Sequence, residues 1–210
     1  MKLVSNSFAD GGRIPGDFAF AVADPVHHVA LSGNRSPHLA WSDVPPGTRS
    51  FVLVCHDPDV PSTGVDVNQE GRTVAASLPR VDFFHWLLLD IPAATREIAA
   101  GSHSEGVVAR GRPGPAAPGG LRHGINDYTA WFAGDAAMQG DYYGYDGPCP
   151  PWNDALLHHY VFTVYAIDLA ALKVEGALSG ANVRAALQGH VLASASITGT
   201  YSLNPALQQG

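Results

Sequence analysis

Three apolar segments constrain the fold of this chain more than any other feature of its sequence. They span residues 51–56 (FVLVCH), 81–91 (VDFFHWLLLDI) and 159–168 (HYVFTVYAID). The first two predict strands buried on both faces, and the alternating bulk of the third also predicts a strand. Pro58 follows the first segment closely. Because a residue that precedes proline favours an extended backbone, Asp57 should continue the first strand.

The composition of the chain fits a mainly β protein with long loops. The 23 glycines and 16 prolines among 210 residues are typical of strands joined by turns. Apolar residues make up 46% and charged residues 15% of the chain, which fits a folded protein. We predict a single domain, residues 1–210, built as an antiparallel β-sandwich with a C-terminal helix.

Weaker signals place shorter elements and two long loops around the main strands. Strands are expected at 18–22, 38–41 and 195–201, a helical turn at 93–99, a helix at 182–193, and long loops at 62–80 and 101–124. The second loop contains a stretch rich in glycine and proline, residues 110–120. Because such a stretch does not fit inside a strand or helix, we expect a surface loop beside the functional pocket.

The charge of the chain argues against two classes of partner. The net charge is −7 and no basic run is present, which argues against nucleic acid and anionic membrane surfaces. The first residues lack the apolar core of a secretory signal, and no 18-residue apolar span occurs. We therefore expect a cytoplasmic protein with no integral membrane segment.

Ionisable side chains lie inside or beside the main strands, where an unpaired polar group is costly. Strand alternation predicts three sets of side chains that share a face: Phe51, Leu53, Cys55 and Asp57; Phe83, His85, Leu87 and Leu89; and His158 and Tyr160. One carboxylate, two imidazoles and one phenol are therefore expected to converge in one pocket.

These groups predict a binding site for a small anion. The Asp57 carboxylate should orient an imidazole and favour its protonated form, and an imidazolium with a phenol hydroxyl would donate to phosphate or carboxylate. The proline-rich segment 147–151 should form a rigid wall. Taken singly, the residues have plainer interpretations: His85 as a core histidine, Asp57 as a turn residue, and Tyr160 as a core side chain.

No residue is assigned a catalytic role. The chain lacks the Gly-x-Ser-x-Gly, His-Glu-x-x-His, P-loop and Gly-x-Gly-x-x-Gly patterns. A nucleophilic pair of Cys149 and His158 can be drawn, but the flanking prolines give the cysteine no evident activation. A mixed-ligand metal site of Asp57, His85 and His158 is a further alternative with unspecific spacing, and no metal or other cofactor is predicted. Cys55 and Cys149 allow one disulfide without implying it.

Several segments together resemble the phosphatidylethanolamine-binding protein family, in its bacterial, Raf-kinase-inhibitor-like branch. Residues 57–61 (DPDVP) resemble the family's Asp-Pro-Asp-x-Pro motif, and His85-Trp86 resembles its histidine-bearing central strand. Residues 147–151 (GPCPP) and 158–162 (HHYVF) resemble its Gly-Pro-x-Pro and His-Arg-Tyr segments. Supporting similarities lie at 36–41, 46–50, 127–128 and 189–193.

The resemblance implies a β-sandwich with a small pocket near one edge that accepts phosphate-like groups, including the phosphoethanolamine head of a phospholipid. Carried over by position, the ligand-binding residues are Asp57, His85, His158 and Tyr160, with Pro148 and Pro150 in the wall. Cis peptide bonds occur around such pockets, with Asp57-Pro58 and the stretch 148–151 as candidates. The resemblance also favours a homodimer.

Two departures from the family pattern limit what the resemblance implies. His159 stands where the family has arginine, which removes a permanent charge and predicts weaker, more pH-dependent anion binding. Residues 152–154 (WND) stand where lysine and glycine are common, and the loops at 62–80 and 101–124 are long. The kinase-inhibitor role of mammalian relatives is not carried over on fold alone.

Three functions remain open from the sequence. The leading hypothesis is non-catalytic binding of a small anionic or phosphoryl ligand, with a regulatory role. One alternative is a hydrolase or isomerase that uses the pocket histidines as acid and base. The other is a protein-interaction module that acts through the 101–124 loop on a partner that the sequence does not identify.

Overall fold

The computed structural model describes residues 1–207, and its regular elements are mainly antiparallel strands. The strands are β1 (Lys2–Val4), β2 (Ala21–Asp24), β3 (His28–Leu31), β4 (Leu39–Ser42), β5 (Ser50–Pro61), β6 (Arg80–Pro92), β7 (Glu97–Ile98), β8 (Arg122–His123), β9 (His158–Ile167) and β10 (Val191–Tyr201). The helices are α1 (Tyr128–Trp131) and α2 (Gly180–Leu187), with 3-10 turns at Gly16–Phe18, Pro118–Gly120 and Pro205–Leu207. The predicted mainly β fold is confirmed.

The three main predicted strands form the centre of a five-stranded sheet. Its order is β10-β9-β5-β6-β8, and each neighbouring pair is antiparallel. A second sheet has the order β1-β4-β7, and β2 pairs with β3 in a separate hairpin. The longest apolar runs therefore occupy the positions that are covered on both sides.

The two larger sheets pack face to face, and α2 covers the opposite face of the five-stranded sheet. Trp41 of β4 lies in one apolar cluster with Phe51 and Leu53 of β5. Val52 of β5 lies in a second cluster with Val183 of α2. Alternate residues of β5 thus face opposite layers, as strand periodicity predicts.

A β-bulge at His85 interrupts the pairing of β6 with β5. Cys55 pairs with Trp86, whereas the next residue of β5, His56, pairs with Phe84. His85 is therefore an extra residue on its strand, and a bulge of this kind redirects the side chain that it contains.

Beyond the bulge, the side chains of β6 change faces. Leu87 and Leu89 lie in the cluster beside α2, whereas Trp86 and Leu88 lie between the two sheets. The prediction that Leu87 and Leu89 share a face with His85 is wrong, because one inserted residue shifts the two-residue period of a strand.

Two predicted helical segments differ from the structure. α2 ends at Leu187 and β10 begins at Val191, so the helix predicted for 182–193 is wrong beyond residue 187. Between them Gly189 has a φ of 80°, a left-handed conformation that glycine adopts at little cost. Residues 93–99 form a turn followed by β7 rather than a helical turn.

Within residues 1–207, no helix has the length and apolar content to span a membrane.

The shorter predicted strands agree with the structure to different degrees. The strand predicted for 38–41 corresponds to β4, and the one predicted for 195–201 forms the last part of β10. The strand predicted for 18–22 is wrong over its first three residues, because β2 begins only at Ala21.

The predicted loop at 101–124 is held against the body of the fold. Its last residues form β8, which pairs with β6 at the edge of the large sheet. The imidazole Nδ1 of His103 lies 3.0 Å from Nε2 of His123, and Arg112 donates to the carboxylate of Asp146 at 3.1 Å. The prediction of one continuous loop is therefore wrong at residues 122–123.

The packing of α2 against the five-stranded sheet can be tested at the contact between Gly180 of α2 and Phe84 of β6. A methyl group added at Gly180 would meet the ring of Phe84, whereas one added at Gly134 would meet no atom within 4 Å. We expect Gly180→Ala to lower the free energy of unfolding by about 1–3 kcal/mol, because overfilling a packed contact displaces its neighbours. Gly134→Ala is the control, and denaturant unfolding of both variants is the measurement. Equal stability of the two would contradict this packing.

Candidate functional site

A cavity of about 80 Å³ opens where β5, β6 and β9 meet. Asp57, His85, His158 and Tyr160 all line it, so the structure brings the four predicted side chains together. The remaining lining residues are Val60, Pro61, Gly64, Val67, Asn68, Phe83, Tyr128, Trp131, Cys149, Pro150 and Pro151. The volume is sufficient for several water molecules or one small polyatomic group.

The proline wall differs by one residue from the prediction. Pro150 and Pro151 line the cavity, whereas Pro148 does not. Pro148 lies behind the wall, where its carbonyl accepts hydrogen bonds from the amides of Phe20 and Ala21 at 3.0 and 3.3 Å. The assignment of Pro148 to the wall is therefore wrong, because its carbonyl ties the segment to the chain before β2.

The candidate cis bonds beside the cavity are also wrong. Within residues 1–207 the cis peptide bond precedes Pro115, in the 101–124 segment. The bond between Asp57 and Pro58 and those in the stretch 148–151 are trans.

His158 is fixed between two carboxylates at the base of the cavity. Its Nδ1 lies 2.7 Å from Oδ2 of Asp57, and its Nε2 lies 3.1 Å from Oδ2 of Asp154. The imidazole is fully buried. With both ring nitrogens engaged by acceptors, each must carry a proton, so His158 is an imidazolium.

Arg80 completes a buried network of four charges with Asp57, His158 and Asp154. Both terminal nitrogens of Arg80 donate to the two carboxylate oxygens of Asp154, and the Nη2–Oδ1 distance is 3.0 Å. Two positive and two negative charges therefore balance beneath the cavity. Such a network is stable in a core only while each charge keeps its partners.

The pKa values of the network follow from these contacts. Burial by itself lowers the pKa of His158, but the hydrogen bonds to Asp154 and Asp57 outweigh it and raise the pKa to about 9. Burial by itself raises the pKa of Asp154, yet the hydrogen bonds from His158 and Arg80 lower it to about 2. Both groups are therefore charged at neutral pH.

His85 is in the opposite state. Its Nδ1 lies 2.7 Å from the backbone carbonyl of Asp146, and because a carbonyl only accepts, Nδ1 must donate. Burial lowers the pKa of His85 to about 4, despite the nearby Asp57. The imidazole that Asp57 orients is that of His158, whereas the neutral ring of His85 presents the lone pair of Nε2. No residue within 1–207 forms a hydrogen bond with Nε2.

The carbonyl that orients His85 is itself held by a buried polar cluster. The Asp146 carboxylate accepts hydrogen bonds from the side-chain amides of Asn34 and Asn126, at 2.7 and 2.9 Å, and from Arg112. Asn34 also accepts from the amide of Gly147 at 2.8 Å. The sequence gives little signal for this cluster beyond the position of Asp146 before Gly147, and we did not predict it.

Aromatic rings enclose the polar base of the cavity. The imidazole of His85 meets the rings of Phe83, Tyr160 and Tyr128 at centroid distances of 4.9, 5.1 and 5.6 Å. Burial and the adjacent Asp57 carboxylate raise the pKa of Tyr160 well above its usual value, so its hydroxyl keeps its proton. Trp131 is 50% exposed and lies at the mouth.

The structure weighs against the nucleophile and metal alternatives. Burial raises the pKa of Cys149 to about 12, and His158 has no free nitrogen to take a proton from it. Cys55 and Cys149 are both free thiols. Within residues 1–207, no group of three or more His, Cys, Asp or Glu side chains is arranged to hold a metal ion.

His159 does not face the cavity. It is exposed on the other side of β9, and its Nδ1 lies 2.8 Å from Oδ2 of Asp59. The position at which the family pattern has arginine therefore does not line this cavity, because consecutive side chains of a strand point to opposite faces. The expected weaker and more pH-dependent anion binding stays a prediction.

The two long loops contribute unequally to the cavity. Gly64, Val67 and Asn68 of the 62–80 loop line it. No residue of the 101–124 segment does. That segment lies next to the residues that form the cavity. Its strand β8 pairs with β6, which carries His85, and its Arg112 donates to Asp146, whose carbonyl orients the His85 ring.

The chain is similar along nearly its whole length to proteins of one family. A family model described as phosphatidylethanolamine-binding protein matches residues 4–202. The UPF0098 protein YbhB of Escherichia coli K12 is 35% identical over 203 residues, which cover 96% of this chain and 100% of that protein. The UPF0098 protein YbcL of the same strain is 32% identical over 171 residues, covering 81% of this chain and 73% of that protein.

Two solved structures share the fold. The crystal structure of Escherichia coli YbcL, described as a new member of the mammalian PEBP family, has a TM-score of 0.68 at 29% identity and covers 96% of this chain and 97% of its own. A Chlamydia trachomatis protein, described as a homologue of the phosphatidylethanolamine-binding protein, has a TM-score of 0.62 at 25% identity, with 96% of each chain covered.

The raised pKa of His158 predicts how stability depends on pH. A folded-state pKa above the unfolded value of 6.5 stabilises the protein fully below pH 6.5, and this contribution is lost as the pH rises through about 9. We expect the difference in unfolding free energy between wild type and His158→Gln to be about 3 kcal/mol larger at pH 6 than at pH 10. Urea unfolding at both pH values measures it.

The control for this experiment is His159→Gln, which changes the neighbouring exposed histidine. Its unfolding free energy should follow that of the wild type at both pH values. A His158 pKa near 6.5 in a direct NMR titration would show that the carboxylate contacts do not hold the proton.

Proposed function

This chain belongs to the phosphatidylethanolamine-binding protein family, and on that premise we propose that its cavity binds a small anionic ligand of phosphoryl type without transforming it. The observation that carries the proposal is the unpartnered Nε2 of His85 at the base of the cavity. Within residues 1–207 this nitrogen has no hydrogen-bond partner, so it is free to bond to a ligand that enters the cavity.

The charge arrangement beneath the cavity supports an anionic ligand. The carboxylates of Asp57 and Asp154 are balanced by Arg80 and by the His158 imidazolium. The base of the cavity therefore carries no net negative charge that would exclude an anion. His158 contributes by balancing Asp57, not by donating to the ligand, because both of its nitrogens already have partners.

The walls of the cavity favour a ligand with a small polar group and an apolar surround. Phe83, Tyr128 and Tyr160 enclose the imidazole of His85. Trp131 lies half-exposed at the mouth. Ligand sites commonly combine apolar walls with a few polar groups that fix orientation.

Acid–base catalysis has less support from the same geometry. A hydrolase or isomerase that uses both histidines needs two imidazoles able to exchange protons with a substrate. Both nitrogens of His158 are bonded to Asp57 and Asp154, so His85 is the one cavity imidazole left to exchange a proton with a substrate.

The interaction-module alternative depends on the 101–124 segment, which does not line the cavity, so a ligand-binding experiment does not test it. A homodimer and a cytoplasmic location stay predictions that ligand binding does not require.

Calorimetric titration at pH 6 with phosphate and with phosphoethanolamine tests the proposal. We expect saturable binding to the wild type and a loss of about 1–3 kcal/mol in His85→Ala, or roughly 5- to 150-fold in affinity, because a hydrogen bond to the ligand is removed.

The matched control is His159→Ala, which removes an imidazole from the same end of the sheet but outside the cavity. It should bind as the wild type does. Unchanged affinity in His85→Ala would remove His85 from the site. Turnover of phosphoesters or carboxylic esters by the wild type, lost in His85→Ala, would replace the binding role with an enzymatic one.

A further inference from the structure

We propose that ligand binding in this cavity is coupled to the uptake of one proton, so that the cavity takes a phosphoryl ligand as its protonated monoanion and not as the dianion. This inference rests on the proposed function, because it concerns the form in which the same cavity accepts the same class of ligand. It follows from the direction of the hydrogen bonds around His85 and Asp57.

Two polar groups at the base of the cavity, the Nε2 atom of His85 and the Asp57 carboxylate, are hydrogen-bond acceptors. The Asp146 carbonyl holds the proton of His85 on Nδ1, which leaves a lone pair on the inward Nε2. The Asp57 carboxylate is a second acceptor, with Oδ2 bonded to His158 and Oδ1 bonded to the amide of Asp59 at 2.7 Å. The hydroxyl of Tyr160 lies beside the Asp57 carboxylate, which helps to keep the hydroxyl protonated.

The charged and titratable groups around His85 do not keep its ring protonated. The titratable groups that face it are Asp57 and His56 of β5, His158 and Tyr160 of β9, Tyr128 of α1, and Cys149 of the segment before β9. Asp57 favours the imidazolium, whereas His158 and His56 oppose it, and burial decides for the neutral ring with a pKa near 4. The carboxylate of Asp146 is turned away towards Asn34, Asn126 and Arg112.

A phosphate dianion does not complement these atoms. Its oxygens would place lone pairs against the Nε2 lone pair of His85 and against the Asp57 carboxylate, with no proton between them. A monoanion brings an O–H group that can donate to Nε2. If a dianion enters first, the same proton is taken from the buffer onto Nε2, and the resulting hydrogen bond is the same. Either route leaves the complex with one proton more than the neutral protein and the dianion.

The test is calorimetric titration of the wild type with methyl phosphate at pH 6 and pH 8, in buffers of different ionisation enthalpy. A phosphomonoester has a second pKa of about 6, so the monoanion falls from about half of the ligand at pH 6 to about one part in a hundred at pH 8. We expect affinity to fall roughly 50-fold over this interval. The buffer dependence at pH 8 should show close to one proton taken up per ligand bound.

Dimethyl phosphate is the matched ligand control. It is a monoanion without an O–H group, so we expect it to bind more than 10-fold more weakly than methyl phosphate at pH 6. Equal binding of the two, or binding of methyl phosphate at pH 8 without proton uptake and with the affinity seen at pH 6, would overturn the proton coupling alone. Absence of any methyl phosphate binding at pH 6 would overturn the proposed function itself.

His85→Gln locates the acceptor within the cavity. A side-chain amide can accept or donate and does not titrate, so it can turn its NH₂ group towards a dianion. We expect the affinity ratio between pH 6 and pH 8 to drop below about 10-fold in this variant, and an unchanged ratio would exclude His85 as the coupled group. The number of protons that the wild type takes up per bound ligand is measured without this variant, so that test does not depend on whether His85→Gln folds.

Discussion

The buried imidazolium of His158 holds together the separate parts of the chain that form the cavity. It lies at the start of β9 and bonds to Asp57 on β5 and to Asp154 in the segment before β9, and Asp154 in turn pairs with Arg80 on β6. Charges so deeply placed are tolerated because each has a partner of opposite sign. The proline wall, Pro150 and Pro151, belongs to the same segment that carries Asp154.

The two cavity histidines differ in charge because their partners differ. His158 has a carboxylate at each nitrogen and is charged. His85 has a carbonyl at one nitrogen, has no partner from residues 1–207 at the other, and is neutral. Burial opposes the charged form of both rings, so the hydrogen-bond partners decide the outcome. One ring is therefore a fixed structural charge, and the other is the ring that we propose as a ligand contact.

Membership of the phosphatidylethanolamine-binding protein family and the geometry of the cavity bear on function in different ways. The family suggests the class of ligand that we propose, and the geometry is the basis for the protonation state that we propose for it. The cavity has a charge-balanced base, acceptor atoms that face inward and aromatic walls. These properties fit the proposed binding of a weak acid, since the proposed hydrogen bond to His85 needs a proton between ligand and ring.

The sequence by itself determined the main strands and the set of polar residues at their ends. The apolar runs at 51–56, 81–91 and 159–168 predict strands because hydrophobic pattern is a local property, and the motif at 57–61 placed Asp57 beside them. The helix at 182–193 was predicted too long because the end at Gly189 depends on a backbone conformation that periodicity does not report.

Only the tertiary structure decided the charge and the role of each polar residue. The bulge at His85 arises from its pairing with β5, and the neutral state of its ring depends on a carbonyl 61 residues away. Asp154 joins His158 to Arg80, which lies 74 residues from it along the chain. His159, at the position where the family pattern has arginine, lies outside the cavity because the register of β9 points it to solvent. Protonation and orientation depend on burial and on distant partners, and these exist only once the strands have assembled.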